Sequence, residues 1–420
     1  MKATRDNAVR ALAASGEGAA PWSLRDRFAE LHRALSRHSV GQAEMIDAIL
    51  LALVSGHHCL FIGPPGCNKT GLFDCAIRLI GGDERLRAMR EGRREGETAE
   101  EFARRLGGLA YTFKTSLSKF DQPEALLGPI DPRELREGRW LRNLANSMAD
   151  ADYAFVSEIF DANGSTLRAL VRVLNEREIE NGGVRYAIPL RSVFADTNTE
   201  PPDHMQAVYD RFMLRVPVGY LSDTDASQFE ALFALPPPDE DAPPIMSLAD
   251  VDAARAQAAA IPLDDCVVDQ LWKLRQSLRR HKITASDRRW VRSLDVLRAS
   301  AFLRGAAQVD APDLWVALRF VLWHTASSRE AVLKELEPYR QQTVRSREEA
   351  QMAEIRAVYA DAVGSQHPEE TRLLKALMTI ETGQTSLRES DFLAELGKMA
   401  DELRLAIDEA ARRDDGAFDE

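Results

Sequence analysis

The stretch Cys59-Leu60-Phe61-Ile62-Gly63-Pro64-Pro65-Gly66-Cys67-Asn68-Lys69-Thr70-Gly71 decides how the chain is to be read. Its apolar opening predicts a buried parallel strand ending at Gly63. Leu72, Cys75, Ala76 and Leu79 follow at the spacing of an amphipathic helix. The glycines let the backbone between strand and helix wrap tightly, so that successive N–H groups and the helix N-terminus converge on an anion. Such a loop binds a nucleotide through Pro65, Gly66, Cys67, Asn68, Lys69, Thr70 and Gly71. Lys69 reaches the outer phosphates and Thr70 turns its hydroxyl to Mg²⁺. The residue before the lysine is Asn68, where the pattern usually has glycine.

Outward from this loop, Ala154-Phe155-Val156 and Ser192-Val193-Phe194-Ala195 read as further buried strands separated by helical segments. That alternation predicts a parallel sheet covered on both faces. The second strand runs into Ser157-Glu158. Glu158 stands where a general base for water would be needed, but the preceding position, which should carry an aspartate for the metal, holds Ser157. The third strand ends in Asn198, suited to orient the attacking water, with Asp196 two residues earlier. Positions i and i+2 share a strand face, so Asp196 is expected to point with Asn198. Two readings stand side by side. Either Asp196, from the neighbouring strand, supplies the charge that Ser157 lacks for the metal, or ATP is bound and cut poorly or not at all.

The 420 residues are 45% hydrophobic and 29% charged, enough for two or three packed domains. No apolar run reaches membrane-spanning length and no signal sequence is visible, so a cytoplasmic protein is expected. The four cysteines show no CxxC pairing and are expected to be reduced thiols. A net charge of -12 disfavours nucleic acid and favours a protein partner. The expected domains are a flexible tail over 1–21, an α/β nucleotide-binding core over 22–235, a proline-rich acidic linker over 236–246, an all-α lid over 247–338, a C-terminal helical domain over 339–413 and an acidic tail over 414–420. The mixed-charge segment 81–107 reads as a solvated helix pair.

Further motifs carry a resemblance. Leu127-Gly128-Pro129, Ser157 to Gly164, Leu174 to Arg177, Ile179 to Gly182, Tyr209-Asp210-Arg211-Phe212, Ser286 to Trp290 and Leu322-Trp323-His324 resemble the MoxR AAA+ ATPases, the RavA branch in particular, over about residues 23–338. The likeness implies a P-loop domain with a parallel five-stranded sheet, an all-α lid and a C-terminal helical region. It implies that Val40-Gly41-Gln42 borders the adenine, that Asn198 is sensor 1, that Arg211 is an arginine finger reaching a neighbouring subunit, and that Arg288 is sensor 2. Arg289 competes for that last role, and Arg211 has a structural alternative as the ion-pair partner of Asp210. Also implied are a helix-2 insert near Asp131 to Met148 and a hairpin over Glu178 to Pro189 turning at Asn181-Gly182-Gly183. The family expectation is a hexameric, chaperone-like remodelling ATPase using ATP and Mg²⁺, coupled to a protein with a von Willebrand A domain. Ser157 for aspartate and Asp161 for the usual lysine depart from the pattern. The competing expectations are a nucleotide-gated scaffold ring with little turnover and, less favoured, a nucleic-acid motor.

Overall fold

The computed structural model describes residues 23–199, 201, 205–222, 226–236, 242–363, 370–386 and 390–416. The expected tail over 1–21, the middle of the linker and the last residues of the acidic tail lie outside the described residues. Two compact units are present. One runs to Val309 and takes in Ala317–Arg329; the other comprises Asp310–Val316 and the chain from Glu330 onward.

The first unit begins with helix α1 (Leu24–Arg37), opened by a capping box in which Ser23 accepts from the Asp26 N–H and Asp26 accepts in return. Helix α2 (Ala43–Ser55) ends on Gly56 at φ 71°, a left-handed cap that glycine takes without penalty. Strand β1 (His58–Ile62) leads through the phosphate loop into α3 (Lys69–Leu79). The segment read as a solvated pair forms α4 (Glu84–Glu91) and α5 (Ala99–Gly107). Then come β2 (Thr112–Ser116), the short helices α6 (Glu124–Leu127) and α7 (Pro132–Arg136), and β3 (Tyr153–Ser157). After α8 (Gly164–Glu176), β4 (Glu178–Asn181) and β5 (Val184–Ala187) form the expected hairpin. Both turn residues, Gly182 and Gly183, have positive φ, as a two-residue type I′ turn requires. Strand β6 (Ser192–Thr197), α9 (Gln206–Tyr209), β7 (Phe212–Pro217) and α10 (Ala226–Phe233) complete the core.

The five-stranded sheet has the order β2-β3-β6-β1-β7 and is parallel throughout. Strand β6 therefore lies between β3 and β1, and the C-terminal ends of all three meet beside the phosphate loop. Phe73 of α3 packs 5.0 Å from the rings of both Phe155 and Phe194. This contact seats the helix that opens at Lys69 on the two strands that carry Glu158 and Asp196. The insert is tied to the hairpin: Asn181 accepts from the Arg142 N–H (2.6 Å) and donates to the Arg142 carbonyl (3.1 Å).

His58 is buried in this core, its ring between the Leu174 carbonyl and the Val193 N–H, each 2.9 Å away. Burial holds it neutral and lowers its pKa from 6.5 to about 3. Because the unfolded chain protonates this ring more readily, its contribution to stability is present near pH 7 and is lost as pH falls from about 6.5 toward about 3. We expect this ring alone to remove about 2 kcal/mol between pH 7 and pH 5. Urea unfolding at the two pH values checks this, since the drop should shrink by that amount in His58→Asn.

The lid helices are α11 (Leu248–Ala259), α12 (Asp265–Arg280) and α13 (Asp287–Arg304), followed by α14 (Ala311–Leu318). In the second unit, α15 (Ala326–Val363) passes through Pro338 without a break, so the expected boundary at 338 falls inside one helix. It is joined by α16 (Glu370–Ser386) and α17 (Ser390–Gly416) around Met352, Leu373, Ile380, Leu396 and Leu403. Among the described residues no helix is long and apolar enough to cross a membrane.

Candidate functional site

The phosphate loop is shaped by residues that accept unusual backbone conformations. Gly66 sits at φ +83°, with open space where a side chain would stand. Asn68 sits at φ 54° and ψ 27°, the left-handed region. Asparagine visits that region more readily than other non-glycine residues, which accounts for its use where glycine is usual. Its side chain lies over Gly71, where an added Cβ would fall 2.0 Å from the Asn68 Oδ1. Gly63 has no room either: a Cβ would meet the Val218 carbonyl at 1.8 Å. The loop is braced from outside by Gln42, which donates to the Cys67 carbonyl (2.6 Å), and by Tyr220, which donates to the Pro65 carbonyl (3.1 Å). Gly41, at φ +69°, packs closely on Leu221, and Val40 precedes it at the turn between α1 and α2. Cys67 is buried and Thr70 is exposed at the start of α3.

Lys69 is buried, and its Nζ is the hub of the site. It donates to the carbonyls of Gly63 (2.6 Å) and Pro64 (3.3 Å) and to the Asn198 Oδ1 (3.4 Å). It lies 3.5 Å from the Asp196 Oδ2. Asp196 is 7% exposed, and its other oxygen accepts the Glu158 N–H at 3.0 Å. Phe61 pairs with Asp196 across β1 and β6, and Val156 pairs with Ala195 across β3 and β6. This register brings Asp196 abreast of Ser157 on one side and beside the phosphate loop on the other. The shared face expected for Asp196 and Asn198 is present, since both meet Lys69.

Glu158 leaves β3 at φ 50° and ψ 47°, a strained conformation for glutamate that the bond from its N–H to Asp196 holds in place. Its carboxylate accepts from Asn198 Nδ2. Burial first, then the negative charges of Asp196 and Asp161, raise its pKa, while Lys69 opposes them. A carboxylate with raised basicity, oriented by an amide, can take a proton from water. Of the residues expected to hold a metal, Thr70, Ser157 and Asp196, Asp196 alone carries a charge. The open space at Gly66 and the exposed Thr70 hydroxyl fit a phosphate-bound divalent cation, which is commonly held by one or two carboxylates plus substrate phosphates.

Arg211 and Arg288 lie elsewhere. Arg211 directly precedes β7, whose Phe212 pairs with His58 at the start of β1. It is thus about 17 Å along the strand direction from the phosphate loop of its own chain. It stands 3.6 Å from the Asp210 carboxylate, and its Nε is buried without a hydrogen bond among the described residues. Burial and then the positive charge of Arg288 lower its pKa, which places Arg288 close by. Arg288, the residue that the resemblance makes sensor 2, thus stands near Arg211, in the first turn of the lid helix that opens at Asp287.

The competitor Arg289 has a different task. It is 1% exposed and donates to the carbonyls of Val321, Phe212 (3.0 Å), Met213 (2.7 Å) and Asp210 (3.3 Å). Arg215, fully buried, donates to the carbonyls of Trp323 and Tyr209, and its guanidinium lies 3.8 Å from the Tyr209 ring centroid. These two buried cations fasten the lid to β7 and fix the base of Arg211. Nothing in their sequence spacing separates them from surface arginines; the apolar Phe212-Met213-Leu214 around Arg215 is the one legible hint. Arg289→Met leaves several buried carbonyls unpaired and is expected to cost about 3 kcal/mol or more. A urea titration reads this as a lower unfolding midpoint.

Comparison with known proteins finds related domains and a related fold. Residues 75–234 match the family model described as the MoxR domain in the MoxR-vWA-beta-propeller ternary systems, and residues 266–336 match an AAA lid domain. An uncharacterized protein of Methanocaldococcus jannaschii is 27% identical over 299 residues, 70% of this chain and 71% of the relative. Chaperone MoxR1 of Mycobacterium tuberculosis is 26% identical over 324 residues, 72% of this chain and 77% of the relative. The crystal structure of a candidate ATPase from Cytophaga hutchinsonii superposes with a TM-score of 0.57 at 18% identity, covering 76% of this chain and 94% of that one, a likeness of fold. With a MoxR match over much of the core, an AAA lid match behind it and a MoxR-named relative matching 72% of the chain, these likenesses support a MoxR-family AAA+ ATPase.

Proposed function

We propose that the chain is a Mg²⁺-dependent ATPase that works as a ring, a hexamer by family expectation, in which Asp196 takes the part of the carboxylate missing at Ser157. The observation that supports this most is the placement of Asp196 between the Lys69 amino group (3.5 Å) and the Glu158 N–H (3.0 Å). A carboxylate there can hold a water of the metal shell, the task that falls to Ser157 by position. Lys69 and the loop N–H groups bind the phosphates, and Asn198 holds Glu158 toward the attacking water. The bound metal neutralises charge on the phosphates. The last group comes from a neighbour: Arg211, joined by Arg288 at the same edge, faces the nucleotide of the adjacent subunit.

The work done by this cycle is protein remodelling or complex assembly in the cytoplasm. A partner with a von Willebrand A domain is supported by the description of the matched family model, which sets the MoxR domain beside vWA and β-propeller proteins. The quoted motifs support a RavA-like branch within the family. Lys69→Ala tests the nucleotide reading: losing charge-assisted bonds to phosphate should weaken binding of a fluorescent ATP analogue by roughly tenfold or more. Unchanged affinity would remove the phosphate loop from the reading. A nucleotide-gated scaffold is the second reading, favoured by Ser157.

A further inference from the structure

On the outer flank of α3, away from the Lys69 amino group, lies a cavity of ≈ 270 Å³ bounded by the end of α1, by α4 and by β2. Arg78, Arg87, Arg90 and Lys114 line it against the carboxylates of Asp74 and Asp83, so its wall is cationic on balance. Lys114 is already paired with Asp74 at 3.0 Å. Three polar atoms in this wall are buried and make no hydrogen bond among the described residues: the His38 Nδ1, the Arg78 Nε and the Asp83 Oδ1. Buried polar atoms without partners are uncommon in folded proteins, and three of different character around one cavity point to a polar occupant. Burial raises the pKa of Asp83, opposed by the positive charges of Arg87, Arg78 and Arg90.

The chemistry of the wall specifies the occupant. The guanidinium groups of the wall suit a phosphate, which they bind with charge and directed N–H groups. The carbonyl-like acceptor of Asp83 suits a hydroxyl or amino donor on the same molecule. Leu72, Ile77 and Leu86 add apolar surface to the lining. The volume is below that of most drug-sized pockets, so the molecule is small. We propose that this cavity is a second ligand site, separate from the nucleotide cradle, for a phosphate ester of sugar-phosphate size that carries a hydroxyl or amino group. Asn68 and Gly71 form the shared wall with the phosphate loop, so an occupant would touch the segment that positions Lys69.

The test is calorimetric titration of ribose 5-phosphate and of inorganic phosphate into the full chain saturated with AMP-PNP and Mg²⁺. One equivalent of ribose 5-phosphate is expected to bind under these conditions. Arg78→Ala and Arg87→Ala are each expected to weaken it by roughly tenfold, the loss of a charge-assisted contact. Asp83→Asn should abolish the preference for ribose 5-phosphate over inorganic phosphate while leaving inorganic phosphate binding in place. Lys69→Ala should retain ribose 5-phosphate binding although it weakens nucleotide binding, which separates failure here from failure of the ATPase reading. The proposal is overturned if no heat beyond dilution appears, or if AMP-PNP displaces the ligand, which would make the cavity part of the nucleotide site. It is equally overturned if both arginine variants bind ribose 5-phosphate like the unaltered chain. Should those variants change only the assembly state, the cavity is filled by a neighbouring subunit.

Discussion

Asp196→Ala is expected to lower ATP turnover by roughly a hundredfold, the upper range for losing a partner that holds a metal's outer shell, while nucleotide affinity changes far less. The reason lies in the crossing of contacts at this side chain: one oxygen faces Lys69, the other accepts the Glu158 N–H, and β6 brings it abreast of Ser157. Ser157→Asp in the Asp196→Ala background is expected to recover part of the turnover, because it returns a carboxylate to the adjacent strand end. In the otherwise unaltered chain the same substitution adds a second negative charge beside Glu158, whose pKa Asp196 already raises, and should not raise turnover. A purely structural Asp196 would give a different pattern, with a lowered melting temperature and no rescue by Ser157→Asp.

Arg211→Ala is expected to cost more, roughly 10³- to 10⁵-fold in turnover, the range known for arginine fingers. Its own phosphate loop is beyond reach at the far end of the sheet, so the loss should be repairable by another subunit. Mixing Arg211→Ala chains, which keep an intact nucleotide site, with Lys69→Ala chains, which keep the finger, should restore turnover that neither shows alone. No recovery in mixtures shown to co-assemble would confine Arg211 to the structural role suggested by its 3.6 Å approach to Asp210. Arg288→Ala should show the same complementation with a smaller loss.

Much of the site was legible because its chemistry is local. The strand, glycine-rich loop, Lys69-Thr70 and helix follow one another, and Glu158 and Asn198 close strands whose apolar runs are plain. The parity of Asp196 and Asn198 on one strand was enough to predict their shared face. Other features depend on contacts that sequence spacing does not encode. Strand β2, Thr-Phe-Lys-Thr-Ser, sits at the sheet edge with an alternating pattern too short to stand out, and β7 is interrupted by Arg215, which reads as exposed until its guanidinium finds lid carbonyls. The neighbouring arginines 288 and 289 were likewise indistinguishable. One turn position separates a side chain at the edge of Arg211 from one sunk among four backbone carbonyls. The boundary near 338 was drawn where charge and likeness change, but Pro338 lies inside a continuous helix.

The most direct test is steady-state ATP turnover of the unaltered chain, measured together with its size in solution with and without ATP and Mg²⁺. Mg²⁺-dependent turnover by a ring that forms with ATP, abolished by EDTA and cut by Asp196→Ala, is the expected result. ATP-dependent assembly with no turnover at any Mg²⁺ concentration would contradict the substitution of Asp196 for the missing carboxylate and leave a nucleotide-gated scaffold in its place.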